Sequence, residues 1–411
     1  MLKPYPKYKE TPALWLNSIP NHWESHKIRE LFVERNEKVS DKDYPPLSVS
    51  KAGVVPQIAT VAKTNDGDNR KLVKKGDFAI NSRSDRRGSS GISNYDGSVS
   101  LINIVLKPRS FVNGRYMHYL LKSHYFIEEF YRNGRGIVAD LWTTRYTEMK
   151  SIYLPVPSIE EQDQIVSFLD WKLMKINKLI RAKKKQIALL NEQKQVIIHN
   201  AVTKGVDPNV PMKDSGIEWI GQIPQEWVVN RLKTQISLST SKKNRDNEFY
   251  IGMENIQSWT GKYVSTTEID SEGICNIFEN NNILFGKLRP YLAKVYLTEN
   301  NGVCSSEFLV LKNFNGILRY MFYVLLSYKF IDLVNSSTYG AKMPRANWGF
   351  IGNCSIPIPS LEEQNKIASY LDDKCYKIEN LKAKIQNEIE LLYEYRTRLI
   401  SDVVTGKVDV R

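Results

Sequence analysis

Residues 154–207 recur at 356–409: shifted by 202 positions, the two stretches align without a gap and 23 of 54 residues are identical. Pro155, Pro157, Ser158, Glu160, Glu161 and Gln162 return as Pro357, Pro359, Ser360, Glu362, Glu363 and Gln364; Leu169-Asp170 returns as Leu371-Asp372, and Val202-Thr203 as Val404-Thr405. Such a period is far longer than the roughly 20–50 residues of a solenoid unit, so the chain is a duplicated half-molecule. Each copy reads as one long helix. Ser158 and Ser360 stand at helix starts with Glu161 and Glu363 three residues on, which predicts two capping boxes. No Gly or Pro follows before Thr203 in the first copy or before Gly406 in the second. About 45 residues at 1.5 Å each make a rod of roughly 65 Å.

The rods carry a seam. Leu169, Leu173, Ile176, Ile180, Ile187, Leu190 and Ile197 are spaced by fours, threes and sevens in the first copy. Leu371, Cys375, Ile378, Ile385, Ile389, Leu392 and Leu399 follow a similar rule in the second. Apolar positions sustained over four heptads predict a coiled coil. Lys183 and Lys194 interrupt one seam, Lys382 and Arg396 the other, which points to specified register rather than maximal stability.

A second repeat opens each half. Trp15-Leu16-Asn17-Ser18-Ile19-Pro20-Asn21-His22-Trp23 matches Trp219-Ile220-Gly221-Gln222-Ile223-Pro224-Gln225-Glu226-Trp227. Paired Trp around an Ile-Pro bend read as local core anchors. Between opening and rod lie two bodies of mixed character. Phe78–Ile80, Leu101–Leu106, Asn282–Phe285 and Phe308–Leu311 predict strands. Residues 115–130 and 317–334 predict one helix apiece, with Tyr116-Met117 echoed by Tyr320-Met321. Segment 40–100 has little visible counterpart in 240–300. The fold class is therefore α+β: two globular α/β-mixed bodies and two long antiparallel helices forming a coiled coil, with a pseudo-twofold internal repeat. The expected boundaries are 1–157 for the first body, 158–203 for the first helix, 204–357 for the second body, and 358–411 for the second helix and tail. Termini should meet.

Net charge is +13 and pI about 9.3, which suits a polyanionic partner. The four cysteines show no C-x-x-C or His spacing, so neither zinc nor a disulfide framework is indicated. No apolar h-region lies in Met1–Leu16 and no run is long enough to span a membrane, so a cytoplasmic location is expected. There is no phosphate-binding glycine loop, no G-x-G-x-x-G, no H-E-x-x-H and no histidine cluster. Asp43-Tyr44-Pro45-Pro46 has prolines but not the spacing of an amino-methyltransferase loop. No catalytic or metal site is predicted, and no cofactor in this chain.

What the bodies do carry is basic, hydroxyl-rich loops. In the first these supply Arg83, Arg86, Arg87, Ser89 and Ser90, then Arg132 and Arg135, then Arg145. In the second they supply Lys242, Lys243 and Arg245, then Lys287, Arg289 and Tyr291, then Lys342 and Arg345. Arg reads guanine bidentately, while Lys, Ser and backbone N–H groups hold phosphates, so these sixteen residues are the candidate DNA contacts. A coiled-coil adaptor without DNA reading is the alternative; charge and loop composition speak against it.

Taken together, W-x3-I-P-x2-W opening each half, P-x-P-S-x-E-E-Q-x2-I-x2-[FY]-L-D entering each rod, and Gly286–Leu292 with Ser305–Leu311 make the chain resemble the specificity subunit of type I DNA restriction–modification systems. That resemblance implies two target-recognition domains, each reading half of a split sequence in double-stranded DNA, with the helices setting the gap. It implies partners: two modification subunits that methylate adenine with S-adenosylmethionine, and motor-nuclease restriction subunits using ATP and Mg. The first body has Asn81–Gly91 where the second has G-x-L-R-P-Y, which implies different half-sites.

Overall fold

The computed structural model describes residues 3–57, 67–137, 142–245, 248–266, 273–340 and 342–411. Ala341, beside Lys342 in the last basic loop of the second body, lies outside them. The chain forms two compact units, one built from Met1–Lys183 with Asn387–Arg411, the other from Lys184–Gln386. Each unit owns one body and a length of both long helices, Ile159–Lys204 and Leu361–Val404.

Ser158 and Ser360 cap these helices as the spacing predicts: their hydroxyls accept from the backbone N–H of Glu161 and Glu363 at 3.4 and 3.3 Å. The reciprocal half of the capping box is absent. Glu161 instead accepts from Tyr5 (2.8 Å) and faces His22 (2.8 Å), while Glu363 accepts from the Trp227 indole at 2.8 Å. The two carboxylates tie body to helix rather than closing the turn.

Every seam position named above is buried or half-buried. In the first unit Leu169, Ile176 and Ile180 are buried on one helix and Ile389 and Leu399 on the other, with Leu173 and Leu392 half-buried. Arg396 donates to Asn177 (3.2 Å) and Lys183 pairs with Glu388, so the helices run antiparallel there. In the second unit Leu371, Ile378 and Ile385 are buried, with Ile187, Leu190, Ile197 and Cys375 half-buried. Ile198, which the heptad pattern passes over, is fully buried because the body packs on the helix from that side.

The two bodies repeat one construction. In the first, a four-stranded antiparallel sheet runs Ser90–Ile92, Phe78–Asn81, Asn103–Pro108, Phe32–Glu34. In the second the order is Val295–Leu297, Ile283–Gly286, Phe308–Lys312, Ser237–Leu238, the same sheet strand for strand. The second sheets also correspond: Gly97–Val99, Arg70–Val73, Lys38–Val39 against Gly302–Cys304, Ile274–Phe278, Lys242–Asn244, the latter extended by Tyr250–Ile251. The described strands of segment 40–100 thus have counterparts in 240–300. The likeness is hidden because a strand constrains alternation and burial, not side-chain identity. The single helix expected in each body is two, Gly114–Leu121 with His124–Arg132 and Leu318–Leu326 with Tyr328–Ser336. Both break at a buried serine, Ser123 or Ser327; Ser123 donates to the Leu120 carbonyl at 2.7 Å and accepts from Phe126 N–H.

Body and helix are joined by the residues that repeat in sequence. Gln162 accepts from Asn113 N–H (2.8 Å) and donates to the Pro157 carbonyl; Gln364 does the same with Ile317 and Pro359. The Tyr116 hydroxyl sits 3.1 Å from the carbonyls of Pro155 and Val404, and that of Tyr320 sits 2.9 Å from Pro357 and 3.3 Å from Val202. Both phenols are fully buried, and desolvation pushes them well above the usual tyrosine range. Trp15 and Trp219 donate to the Tyr153 and Ser355 carbonyls, and Trp23 and Trp227 are core residues. The Trp pairs are structural anchors, as read from the sequence. The termini meet, since Asp409 N–H donates to the Lys3 carbonyl at 2.9 Å.

Gly205 and Gly406 follow the helices at φ +76° and +77°, the left-handed region where a side chain costs roughly 1–2 kcal/mol. A Cβ on Gly406 would also lie 2.3 Å from Pro20 Cδ, whereas on Gly205 the nearest atom is the flexible Glu363 carboxylate at 3.0 Å. Gly406→Ala is therefore expected to destabilise the protein by ~2–4 kcal/mol and Gly205→Ala by only ~1–2 kcal/mol in urea unfolding, the former adding overpacking to backbone strain. Equal losses would show that Pro20 does not constrain the helix end.

Candidate nucleic-acid interface

Three of the basic loops in the first body are stitched into one surface. Arg135 and Thr143 exchange both backbone hydrogen bonds (3.0 and 2.9 Å), and Thr143 also bridges to Arg83. Ser84 N–H donates to the Trp142 carbonyl (3.1 Å) and Thr144 N–H to Ser82 (2.9 Å). The second body repeats this: Tyr339 and Arg345 exchange bonds at 3.2 and 3.1 Å, and Arg345 bridges to Leu288. Arg289 N–H donates to the Pro344 carbonyl (2.8 Å) and Ala346 N–H to Lys287 (3.0 Å).

The backbones match while the side chains do not. Thr143 occupies the place of Arg345, Arg135 that of Tyr339, Ser84 that of Arg289, and Arg83 that of Leu288. One scaffold therefore presents two different sets of donors. Asn81–Gly91, which has no sequence likeness to Gly286–Leu292, is its structural equivalent: both leave the second strand of the main sheet, and both contain a short 3-10 turn, Ser84–Arg86 or Pro290–Leu292. Arg289 enters that turn at φ +49°, strain that a non-glycine residue holds only where the surroundings enforce it.

The cations divide by how they are held. Arg83, Arg145, Lys242, Lys287, Arg289 and Lys342 have no ion pair among the described residues, and Tyr291 is exposed. Arg345 forks onto Glu307 (2.9–3.1 Å), and the carboxylate pushes the pKa of the guanidinium up. Arg132 forks onto Glu129 at 2.7 and 2.9 Å. Arg87 pairs with Glu128 and lies over the Tyr131 ring at 4.5 Å. Arg86 is 3.4 Å from Asp85, and Arg135 is 3.9 Å from Glu148 but largely exposed. Lys242, Lys243 and Arg245 are not stitched into this surface. They lie on and beside the Lys242–Asn244 strand of the other sheet, with Lys243 paired to Glu248 and Arg245 over Tyr250.

Two of the sixteen candidates lie inside the body. Ser89 and Ser90 are 5% and 0% exposed, because Ser90 begins the edge strand paired with Ile80 and Ser89 precedes it. Neither has surface to offer a duplex. Conversely, Glu307, Glu129 and Glu128 orient three of the arginines and are not among the expected residues. Glu129 stands three residues before Arg132 on one helix face, a spacing that could have found it. The other two ion pairs, 38 and 41 residues apart in sequence, leave no periodic trace. Among the described residues no cluster of His, Cys, Asp and Glu could hold a metal, and no helix is long and apolar enough to cross a membrane.

Residues 20–189 and 226–391 each match the profile of the type I restriction modification DNA specificity domain. The chain is 21% identical over 345 residues to the EcoDI type I restriction enzyme specificity subunit of Escherichia coli, covering 78% of this chain and 76% of the relative. It is 26% identical over 282 residues to the MjaVIII specificity subunit of Methanocaldococcus jannaschii, covering 64% and 63%. Its fold is similar to that of a chain solved in a study of complex assembly and conformational transition of a type I R-M system (TM-score 0.68, 13% identity, 95% and 99% coverage). It is also similar to the HsdS subunit of Thermoanaerobacter tengcongensis (TM-score 0.54, 14% identity, 97% and 100% coverage).

Proposed function

Because the chain belongs to the type I restriction modification DNA specificity family, we propose that it is the DNA-reading subunit of such a system, each body contacting one half of a bipartite site through its stitched loops. The observation that carries this is one loop scaffold built twice with different side chains at equivalent points. Two copies of a reader with different donors suit two different half-sites. Arg83, Arg145, Lys287, Arg289 and Lys342, which have no ion pair among the described residues, suit phosphates and base edges, and the net charge of +13 suits the polyanion. The long helices act as the spacer that sets the unread gap.

The chain performs no chemistry itself in this proposal. Methyl transfer, with S-adenosylmethionine, belongs to two modification subunits; ATP- and Mg-dependent cleavage belongs to restriction subunits. The helices carry exposed apolar side chains that suit a helical partner: Trp171 and Met174 on the first, Tyr376 and Leu391 on the second. Met174 and Tyr376 are equivalent across the repeat, as expected if two copies of one subunit dock alike. A scaffold that bound only proteins would have no use for the stitched cationic loops.

Sequencing the methylated bases of a host carrying this chain with its partner subunits tests the assignment: one asymmetric bipartite motif is expected. Arg289→Ala should relax or weaken the half-site read by the second body by ~1–3 kcal/mol and leave the other untouched. Equal weakening at both half-sites would contradict a local reading role.

A further inference from the structure

We propose that the polar side chains within the helix seam, Lys194 above all, are the register lock of this spacer, permitting one alignment of the two helices and therefore one gap length. Lys194 is the most deeply buried charge in the seam, 4% exposed. Its Nζ donates to Glu379 on the opposite helix (2.8 Å) and to the carbonyl of Trp259 (2.9 Å) on the Ile256–Tyr263 hairpin of the second body. Lys382 joins the same carboxylate at 3.0 Å. Burial alone would raise Glu379, but the two lysines outweigh it and hold the carboxyl below its usual value. The internal repeat places Arg396 and Asn177 in the first unit where the second has Lys194 and Glu379, and these also pair across the helices. Lys183 with Glu388 adds a third contact.

Leu and Ile seams slide, because one aliphatic knob fits the next hole nearly as well as its own; a polar residue does not. One helical turn of slip would set Lys194 against Lys382 or Ala383 in one direction and Cys375 or Tyr376 in the other. The same slips set Lys183 against Leu391 or Leu392, or against Lys384 or Ile385. A full heptad leaves Lys183 facing Leu381 or Tyr395. Only the observed register gives both lysines an acid. The Trp259 contact adds a strut: the hairpin rides on the same ammonium that aligns the helices. In the first body the hairpin Leu47–Ser50 with Gly53–Pro56 packs on that body's own strands.

The link to gap length rests on the spacer function proposed above, so the experiment has two arms. In the purified full chain, Asn177→Cys is combined with Arg396→Cys (in register) or with Leu392→Cys or Leu399→Cys (one turn out), and disulfide formation is measured. With the remaining polar pairs intact, only the 177–396 disulfide is expected. In a variant carrying Lys183→Leu, Lys194→Leu, Glu379→Leu, Lys382→Leu and Glu388→Leu, one-turn-out disulfides should form as well. Lys194→Met, which keeps the packing of the stem, should shift the distribution the same way if the fivefold variant does not fold. A single 177–396 product in both variants would overturn the register lock.

The second arm sequences methylation in a host expressing the variant with its partners. One turn is 5.4 Å, so a second population of sites with a gap altered by about one to two base pairs is expected, with both half-sites unchanged. If the disulfides shift while the gap does not, the lock stands and the spacer function fails.

Discussion

Inserting one matched heptad into each long helix, between Lys183 and Lys194 and between Glu379 and Glu388, should change the DNA sequence that the complex methylates without changing either half-site. Seven residues add ~10.5 Å of helix, at most about three base pairs of duplex. Duplex twist also carries the second half-site around the axis, so length and rotation compete and the gap should widen by about one to three base pairs. The matched insertion keeps Lys183 opposite Glu388 and Lys194 opposite Glu379, so folding should be preserved. Methylation sequencing is the measurement. The original gap surviving the insertion would remove the spacer role, and new half-sites would mean that the helices take part in reading.

Trp227→Ala should be the most destabilising single substitution proposed, about 3–5 kcal/mol from the cavity left by a fully buried indole. It also strips Glu363 of its 2.8 Å indole donor at the entrance to the second long helix. The informative contrast is with phenylalanine. Trp227→Phe keeps most of the packing but loses that hydrogen bond to a carboxylate, ~1.5–3 kcal/mol. Trp23→Phe, at the equivalent point of the other half, should cost clearly less, because the Trp23 indole nitrogen has no partner among the described residues. There Glu161 is served by Tyr5 and His22 instead. Chemical denaturation of the two Phe variants decides the point, and the reverse order would show that the indole bond is not what holds helix to body.

The repeated motifs are the joints of the molecule. Gln162 and Gln364 span helix entrance and body; Tyr116 and Tyr320 bond the last carbonyls of a long helix; Asp170 and Asp372 hold Arg115 and Arg319. Each such contact occurs twice, so the same residue is demanded twice and the demand shows as internal identity. The stitched loops behave in the opposite way. Thr143 and Arg345 share a backbone position but no chemistry, as expected if each body contacts the different half-site proposed for it.

Register and pairing explain most of what the sequence misplaces. Ser89 and Ser90 look like loop donors because Gly88 and Gly91 surround them; pairing of Ser90 with Ile80 turns them inward. Segment 40–100 looks unlike 240–300 because two sheets of the same order can be filled with different side chains. The capping boxes form only by half, since the glutamates find stronger partners in the body than in their own helix turn.

From the sequence alone come the duplication, the two long helices with their seam, the Trp anchors and the cationic loops. All of these are local or periodic: spacing by threes and fours, a capping serine, an identity recurring after 202 residues. Tertiary structure alone decides which loops are stitched together, which arginines are held by distant acids, and what Lys194 touches. Those contacts join residues 38, 65 and 185 positions apart. Pairing at such distances is chosen by the closing of the whole chain on its core, and no window of sequence contains both partners.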